Sequence, residues 1–140
     1  MQDLMNNIHP VTAIAPQVAS DDTALVGAVI DRQGFDALAF IIATGTLADP
    51  DASFAVLVEH GDQSDLSDAV AVPDTELLGT EVLAGFGAAD DDATRKVGYR
   101  GAKRYVRLTI TPSGNSASAP LAASAILGAP HMAPTANPPQ

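Results

Sequence analysis

The stretch Lys103-Arg104-Tyr105-Val106-Arg107-Leu108-Thr109-Ile110-Thr111 decides how this chain is read. Arg104, Val106, Leu108 and Ile110 fall on one side of an extended chain. Lys103, Tyr105, Arg107 and Thr109 fall on the other. A period of two is the signature of a β-strand with one face in a core, because successive Cβ atoms point to opposite sides of the sheet. The next residues, Pro112-Ser113-Gly114-Asn115, read as a turn that ends the strand.

Working outward, further strand-like runs appear on both sides. Ala37 to Thr44 (ALAFIIAT) is apolar at nearly every position, as in a strand central to a sheet and covered on both faces. Phe54 to Glu59 is another, closed by His60-Gly61-Asp62. Leu25 to Ile30 is an apolar run ending at the turn Asp31-Arg32-Gln33-Gly34. Thr94 to Tyr99 reads as a strand broken at Arg100-Gly101, and Leu121 to Leu127 as a last strand rich in alanine. Residues 62–92 are more open. Asp65 to Ala71 fits a helical turn, a short strand or a loop. Glu76 to Phe86 reads as strands, since Gly79, Gly85 and Gly87 disfavour a helix. Short strands separated by turn clusters point to an all-β fold, an antiparallel β-sandwich or jelly-roll-like body.

The flanks differ from this middle. Residues 1–22 carry Pro10, Pro16 and the polar break Ser20-Asp21-Asp22, and read as an extended N-terminal arm. Residues 129–140 (APHMAPTANPPQ) hold four prolines in twelve positions and read as an extended or disordered tail. The expected division is therefore arm 1–22, β-sandwich domain 23–128 and Pro-rich tail 129–140.

Composition bounds the chemistry. A length of 140 residues suits one domain. There are no cysteines, which excludes disulfides, thiolate metal sites and thiol catalysis. Alanine fills 26 positions, Trp is absent and Phe plus Tyr total six, so the core has little aromatic content and assembly is expected to add to its stability. The net charge of −10 works against nucleic acid and anionic membranes as partners. No run reaches the length of a membrane span, and the N-terminus lacks the basic opening of a signal peptide.

The charge is unevenly placed. Six of the seven bases, Arg95, Lys96, Arg100, Lys103, Arg104 and Arg107, lie within 13 residues, whereas residues 45–92 hold twelve acids and no base. Two readings follow. The two segments neighbour each other and their charges pair across strands, or the basic strip meets an acidic partner surface.

No motif points to catalysis, a cofactor or a metal. His9, His60 and His131 sit in separate zones, each beside a proline or in a loop, and read as polar loop positions. Asp62, Asp65 and Asp68, and the run Asp90-Asp91-Asp92, lack the alternating oxygens and glycine turn of a calcium loop, although an adventitious divalent ion is conceivable there. Gly85-Phe86-Gly87 lacks the Lys-Ser/Thr of a phosphate loop. A paired-carboxylate glycosidase would want aromatic sugar platforms that this chain lacks. Tyr99 and Tyr105 flank the basic strip, either as interface residues or as caps of a sheet edge.

The segment Gly98 to Thr109 (GYRGAKRYVRLT), the stretch Ala43 to Ala69 with ATGTLAD, FAVLVEHGD and LSDA in order, and the opening Ile8-His9-Pro10-Val11 together resemble small structural proteins of tailed bacteriophages. The resemblance covers about residues 8–130. It implies a cement or decoration protein on the exterior of an HK97-type capsid, made in the host cytoplasm. Such a protein would bind the major capsid protein, commonly as a homotrimer, and brace the shell. A tail or neck component, or a displayed receptor- or glycan-binding module, is the alternative. On that reading the expected contacts are Ile8, Pro10, Val11 and Ile14 of the arm as an anchor, and Arg100, Lys103 and Arg104 of the basic strip against acidic shell surface.

Overall fold

The alternation at Val106, Leu108 and Ile110 becomes a strand whose three aliphatic side chains are completely buried, and the rest of the body is arranged around it. The computed structural model describes residues 2–139. Met1 and Gln140, the first residue of the expected arm and the last of the expected tail, lie outside the described residues. The elements are β1 (Ile8–Ala19), β2 (Leu25–Val26), β3 (Ile30–Asp31), β4 (Phe35–Thr44), β5 (Ser53–Gly61), β6 (Val70–Ala71), β7 (Leu77–Leu78), a one-turn helix α1 (Glu81–Ala84), β8 (Phe86–Gly87), β9 (Thr94–Tyr99), β10 (Tyr105–Ser113) and β11 (Ala119–Pro130).

These strands form two antiparallel sheets packed face to face. Sheet A has the order β1-β11-β4-β9-β7. Sheet B has the order β2-β10-β5-β6, with β3 also on β10 and β8 also on β5. The long strands switch sheets at each step: β4 is in A, β5 in B, β9 in A, β10 in B and β11 in A. That is the jelly-roll form of the β-sandwich, all-β as expected. Phe40 and Ile42 from sheet A and Val58, Val106, Leu108 and Ile110 from sheet B meet in one core.

Three expectations are corrected. Residues 1–22 do not form a separate arm. Ile8–Ala19 is the edge strand of sheet A, paired with β11 from Ile8↔Gly128 to Ala19↔Ala119. Prolines are tolerated there because an edge strand needs only one side of its backbone for pairing. Pro10 and Pro16 sit on that edge, and the ladder slips between Thr12 and Gln17.

Second, Leu25–Ile30 is not one strand. It splits into β2 and β3 because the intervening chain crosses between two others: Gly27 N–H donates to Leu108 O (2.9 Å), and Ala28 N–H donates to Ala13 O (2.8 Å). Third, Glu76–Phe86 is not strand throughout. Thr80 Oγ1 accepts from Leu83 N–H (3.0 Å) and caps the single turn of α1. The glycines lie outside that turn, at Gly79 and Gly85, so their low helix propensity does not count against it. Ala84 is buried beneath it.

The tail is only partly free. Ala129 and Pro130 complete β11, and Thr135 lies against the N-terminal segment, its N–H on Asn6 O and its hydroxyl on Ile8 O. Loops at the other end are tied by carboxylates. Asp49, only 8% exposed, accepts from Asp51 N–H (2.9 Å), Ser116 N–H (2.8 Å) and Ser116 Oγ (3.0 Å), joining the β4–β5 connection to the β10–β11 connection. The Asp51 N–H, helped by the two Ser116 donors, holds this carboxyl below the usual carboxylate range.

Three outcomes are expected. Gly27→Ala places a Cβ 2.4 Å from Leu108 O and 3.0 Å from Ala13 O, both backbone atoms; it should cost about 1–3 kcal/mol, seen as a lower urea midpoint with unchanged slope. Removing residues 1–20 strips the edge strand and buried Ala13, Ile14 and Ala19, and should abolish or sharply lower the cooperative thermal transition followed by circular dichroism. Because the Asp49 carboxyl is depressed in the folded chain, its contribution is present above the ordinary value near ~4 and is lost as pH falls through the lower folded value. Asp49→Ala should therefore flatten the fall in melting temperature on acidification below about pH 4.

Candidate functional site

The two outward faces of the sandwich differ in chemistry. On sheet B, the face carries Tyr105, Arg107, Thr111, Ser53 and Glu59 beside the exposed apolar Val26 and Leu57, with Arg107 Nη2 donating to Glu59 Oε1 across the β10–β5 pair (3.1 Å). On sheet A, the residues between the buried ones point to solvent, and the ladder sets them in rows. Pro10, Ile126, Ala39, Gly98 and Leu78 form one row across all five strands. Thr12, Ser124, Ile41 and Lys96 form the next, followed by Ala122, Ala43 and Thr94. Ile8, Gly128 and Ala37 lie on the other side of the first row.

Every residue in these rows is exposed or half-buried. Lys96 is the one charge among them, and none is an acid, although the chain has 17 acids. The small side chains of β4 and β11 make the centre flat. Gly98 is overlain by Leu78, whose Cβ would lie 2.9 Å from any Cβ added at that glycine. Five strands about 4.8 Å apart and eight residues at about 3.3 Å give a face of roughly 500 Å². A patch of this extent is of the size of the largest patch on an ordinary soluble monomer. At one margin it rises to Leu78 and Leu83, 55% and 68% exposed, which flank a groove of 620 Å³ floored by Ala39, Lys96 and Gly98.

The residues expected as an anchor divide between the two sides of β1. Ile8 and Pro10 lie on the outer face of sheet A. Ile14 is buried in the core, and Val11 packs against it. The four do not form one contact patch, because they alternate along a strand and are not displayed by a free arm.

The basic strip is spent largely within the chain. Arg104 makes a two-pronged pair with Asp31, Nε to Oδ1 at 2.8 Å and Nη2 to Oδ2 at 2.9 Å. This pairing holds the Asp31 carboxyl below its usual range. Lys103 Nζ donates to Asp62 Oδ2 (2.6 Å), and Arg95 pairs with Asp90. Arg100 is exposed and fixed by its backbone N–H on Glu76 O (2.8 Å). Cross-strand and cross-loop pairing therefore accounts for most of the charge segregation.

Beneath this loop lies a polar knot that the sequence reading missed. Tyr99 is buried, not a cap at a sheet edge. Its Oη accepts from Lys103 N–H (3.0 Å) and shares a hydrogen bond of 2.8 Å with His60 Nδ1. Arg32 lies over the Tyr99 ring and donates to Lys103 O (2.8 Å) and Gly101 O (3.1 Å). Burial pushes the Tyr99 phenol up from its ordinary value. This knot shapes the Arg100–Lys103 loop. The signal available in the sequence was parity: Val97 and Tyr99 share a face, and Val97 is apolar.

The histidines are likewise less peripheral than expected. His60 is buried in that knot, His9 is buried and stacks on Phe35, and His131 alone is an exposed position, with Nε2 2.8 Å from Asp36 Oδ1. The acidic repeat Asp62/Asp65/Asp68 is occupied by turns: Asp68 accepts from the N–H groups of Asp62 and Gln63, and Asp65 from Ser67 N–H.

No family model matches this sequence, and no curated protein does. Among solved structures, the chain is similar to one in the structure of infectious bursal disease virus Gx strain, at 12% identity and TM-score 0.47, over 86% of this chain and 31% of that one. It is similar to the infectious bursal disease virus VP2 subviral particle at 10% identity and TM-score 0.45, over 89% and 32%. It is also similar to the xylan-binding module CBM15 at 14% identity and TM-score 0.39, over 93% and 95%. The chain spans about a third of the length of the viral chains.

The pairing pattern has a measurable consequence. Arg107 and Glu59 are mostly covered, at 21% and 20% side-chain exposure, whereas Arg104 and Asp31 are both 45% exposed. Arg107→Ala leaves a covered carboxylate unpaired and should cost about 1–3 kcal/mol in urea unfolding. Arg104→Ala should cost under about 1 kcal/mol.

Proposed function

We propose that this chain is a structural virion protein of the tailed-phage head type, a cement or decoration protein that lays the outer face of sheet A on the major capsid protein at the capsid exterior, as a trimer. The observation that carries this reading is the acid-free face itself. In a chain of net charge −10, about 500 Å² of acid-free surface, with Lys96 its one charge, is where another protein approaches without burying carboxylates. Full contacts of stable complexes cover about 800 Å² per partner, so this face supplies the larger part of one.

The phage-like segments are spread over both sheets. Ile8-His9-Pro10-Val11 opens β1 at the margin of the face. Ala43 to Ala69 runs from the end of β4 through β5, and Gly98 to Thr109 covers the end of β9, the Arg100–Lys103 loop and most of β10. The acids, placed elsewhere, keep packaged nucleic acid at a distance. The reading contains no catalysis and no cofactor. It favours a protein partner over a glycan, because none of the six aromatic rings is fully exposed as a stacking platform.

The test is co-sedimentation of the purified chain with undecorated phage heads, beside the variants Ile126→Glu and Ala39→Glu. Both positions are on the outer face, so the variants should keep the far-ultraviolet spectrum of the parent. Saturable binding by the parent that falls at least about tenfold in both variants is expected; absence of parent binding, or binding indifferent to both changes, overturns the reading. Light scattering on the free chain should give three times 14.3 kDa; a monomer would remove the trimer.

A further inference from the structure

We propose that the Pro-rich C-terminal tail is a guard on the edge of β1, and that its release opens that edge to the same strand of a second copy of this chain. The edge lies apart from the docking face above, and the guard does not depend on the head reading.

Three of the four sheet edges are closed by being short. Sheet B ends in β2 and β3 on one side and in β6 and β8 on the other, each of two residues. Sheet A ends at one side in the two-residue β7, with α1 packed against β9 beside it. The fourth edge is β1, twelve residues long and paired with β11. A long edge strand is a template for another strand. Natural sheets blunt such edges with charge, most often lysine, with proline or with a covering segment. Ile8–Ala19 contains no Lys, Arg, Asp or Glu. Pro10 and Pro16 each remove one donor. Ala13 O is taken by Ala28 N–H. The stretch that remains, Ile8 to Thr12, is where the tail lies.

The tail reaches it in three steps. His131 is tied near the start of β4, with its N–H on Gly34 O (2.9 Å) and its Nε2 2.8 Å from Asp36 Oδ1. Thr135 then donates its N–H to Asn6 O (3.0 Å) and its hydroxyl to Ile8 O. Pro139 lies beside His9, Pro10, Val11 and Thr12. None of residues 131–139 is buried, so the tail adds cover and no core. Pro134, Pro138 and Pro139 have no N–H, so the tail does not itself become a new edge.

Charge and symmetry select what would join the opened strand. An uncharged strand meets its own copy without repulsion. A two-fold axis sets two β1 edges antiparallel, which is a self-complementary arrangement.

The test uses full-length chains, sized by sedimentation over a range of concentrations. Thr135→Pro removes both donors to the edge and should self-associate at least about tenfold more tightly than the parent. Thr135→Ser keeps both donors and should behave as the parent. Thr12 is exposed. Adding Thr12→Lys to Thr135→Pro places a charge on the opened strand and should restore the parent's behaviour. No buried residue is changed, so each variant should melt as the parent does. If Thr135→Pro does not, Thr135→Val takes its place, since it loses the hydroxyl donor alone and should shift association in the same direction. Association no tighter than the parent's, or tighter association unmoved by Thr12→Lys, would overturn the guard. No capsid enters this experiment, so either result leaves the head reading standing.

Discussion

The structure depends on a single dry layer in which aliphatic side chains of β4 meet those of β5 and β10. Phe40, Ile42, Val58, Val106, Leu108 and Ile110 are fully buried there, and only one of them is aromatic. With no disulfide available, the two sheets are held by dispersion and apolar burial spread over many small contacts. Such a layer tolerates little misregister, because a slip of one residue turns every buried side chain outward. The nine-residue β10–β5 ladder and the long β11–β4 ladder fix that register. The Gly27 crossing, bonded to both β10 and β1, ties one sheet to the other.

Once both inward faces are committed to this layer, the outward faces are free to differ. Acids are gathered on the connections, where they close Asx turns or pair with the bases of β9, β10 and the loop between them. Sheet A is left neutral. The same small residues that give it a modest core also make its outer side flat, since β4 and β11 place alanine and glycine on it. The charge segregation along the sequence accompanies an internal network that positions the Arg100–Lys103 loop and a face whose rows carry no acid and one base, Lys96.

Much of the fold was legible locally. The alternation at residues 104–110, the double-sided apolarity of 37–44 and the turns between runs each reflect a period or a backbone preference expressed over a few residues. The site was legible only in part. Ile8 and Pro10 fall on the outer face of sheet A, but Ile14 and Val11, chosen on the same grounds, turn into the core, because the segment is a strand with two sides. For Arg104 and Lys103 the sequence left internal pairing and a partner surface both open until Asp31 and Asp62 are seen next to them, 73 and 41 positions away. Tyr99 and His60 read as surface residues until the sheets close over them.

The sequence by itself determined the class of fold, the absence of thiol chemistry and the uneven charge, since these follow from composition and from periodicity over a handful of residues. Tertiary structure decided which side of each strand faces water and which charges are already paired. The facing of each strand and the pairing of charges depend on ladders such as β1–β11 and β4–β9, which join residues far apart in the chain. The acid-free face exists only because five separated segments turn these residues, with one base among them, the same way.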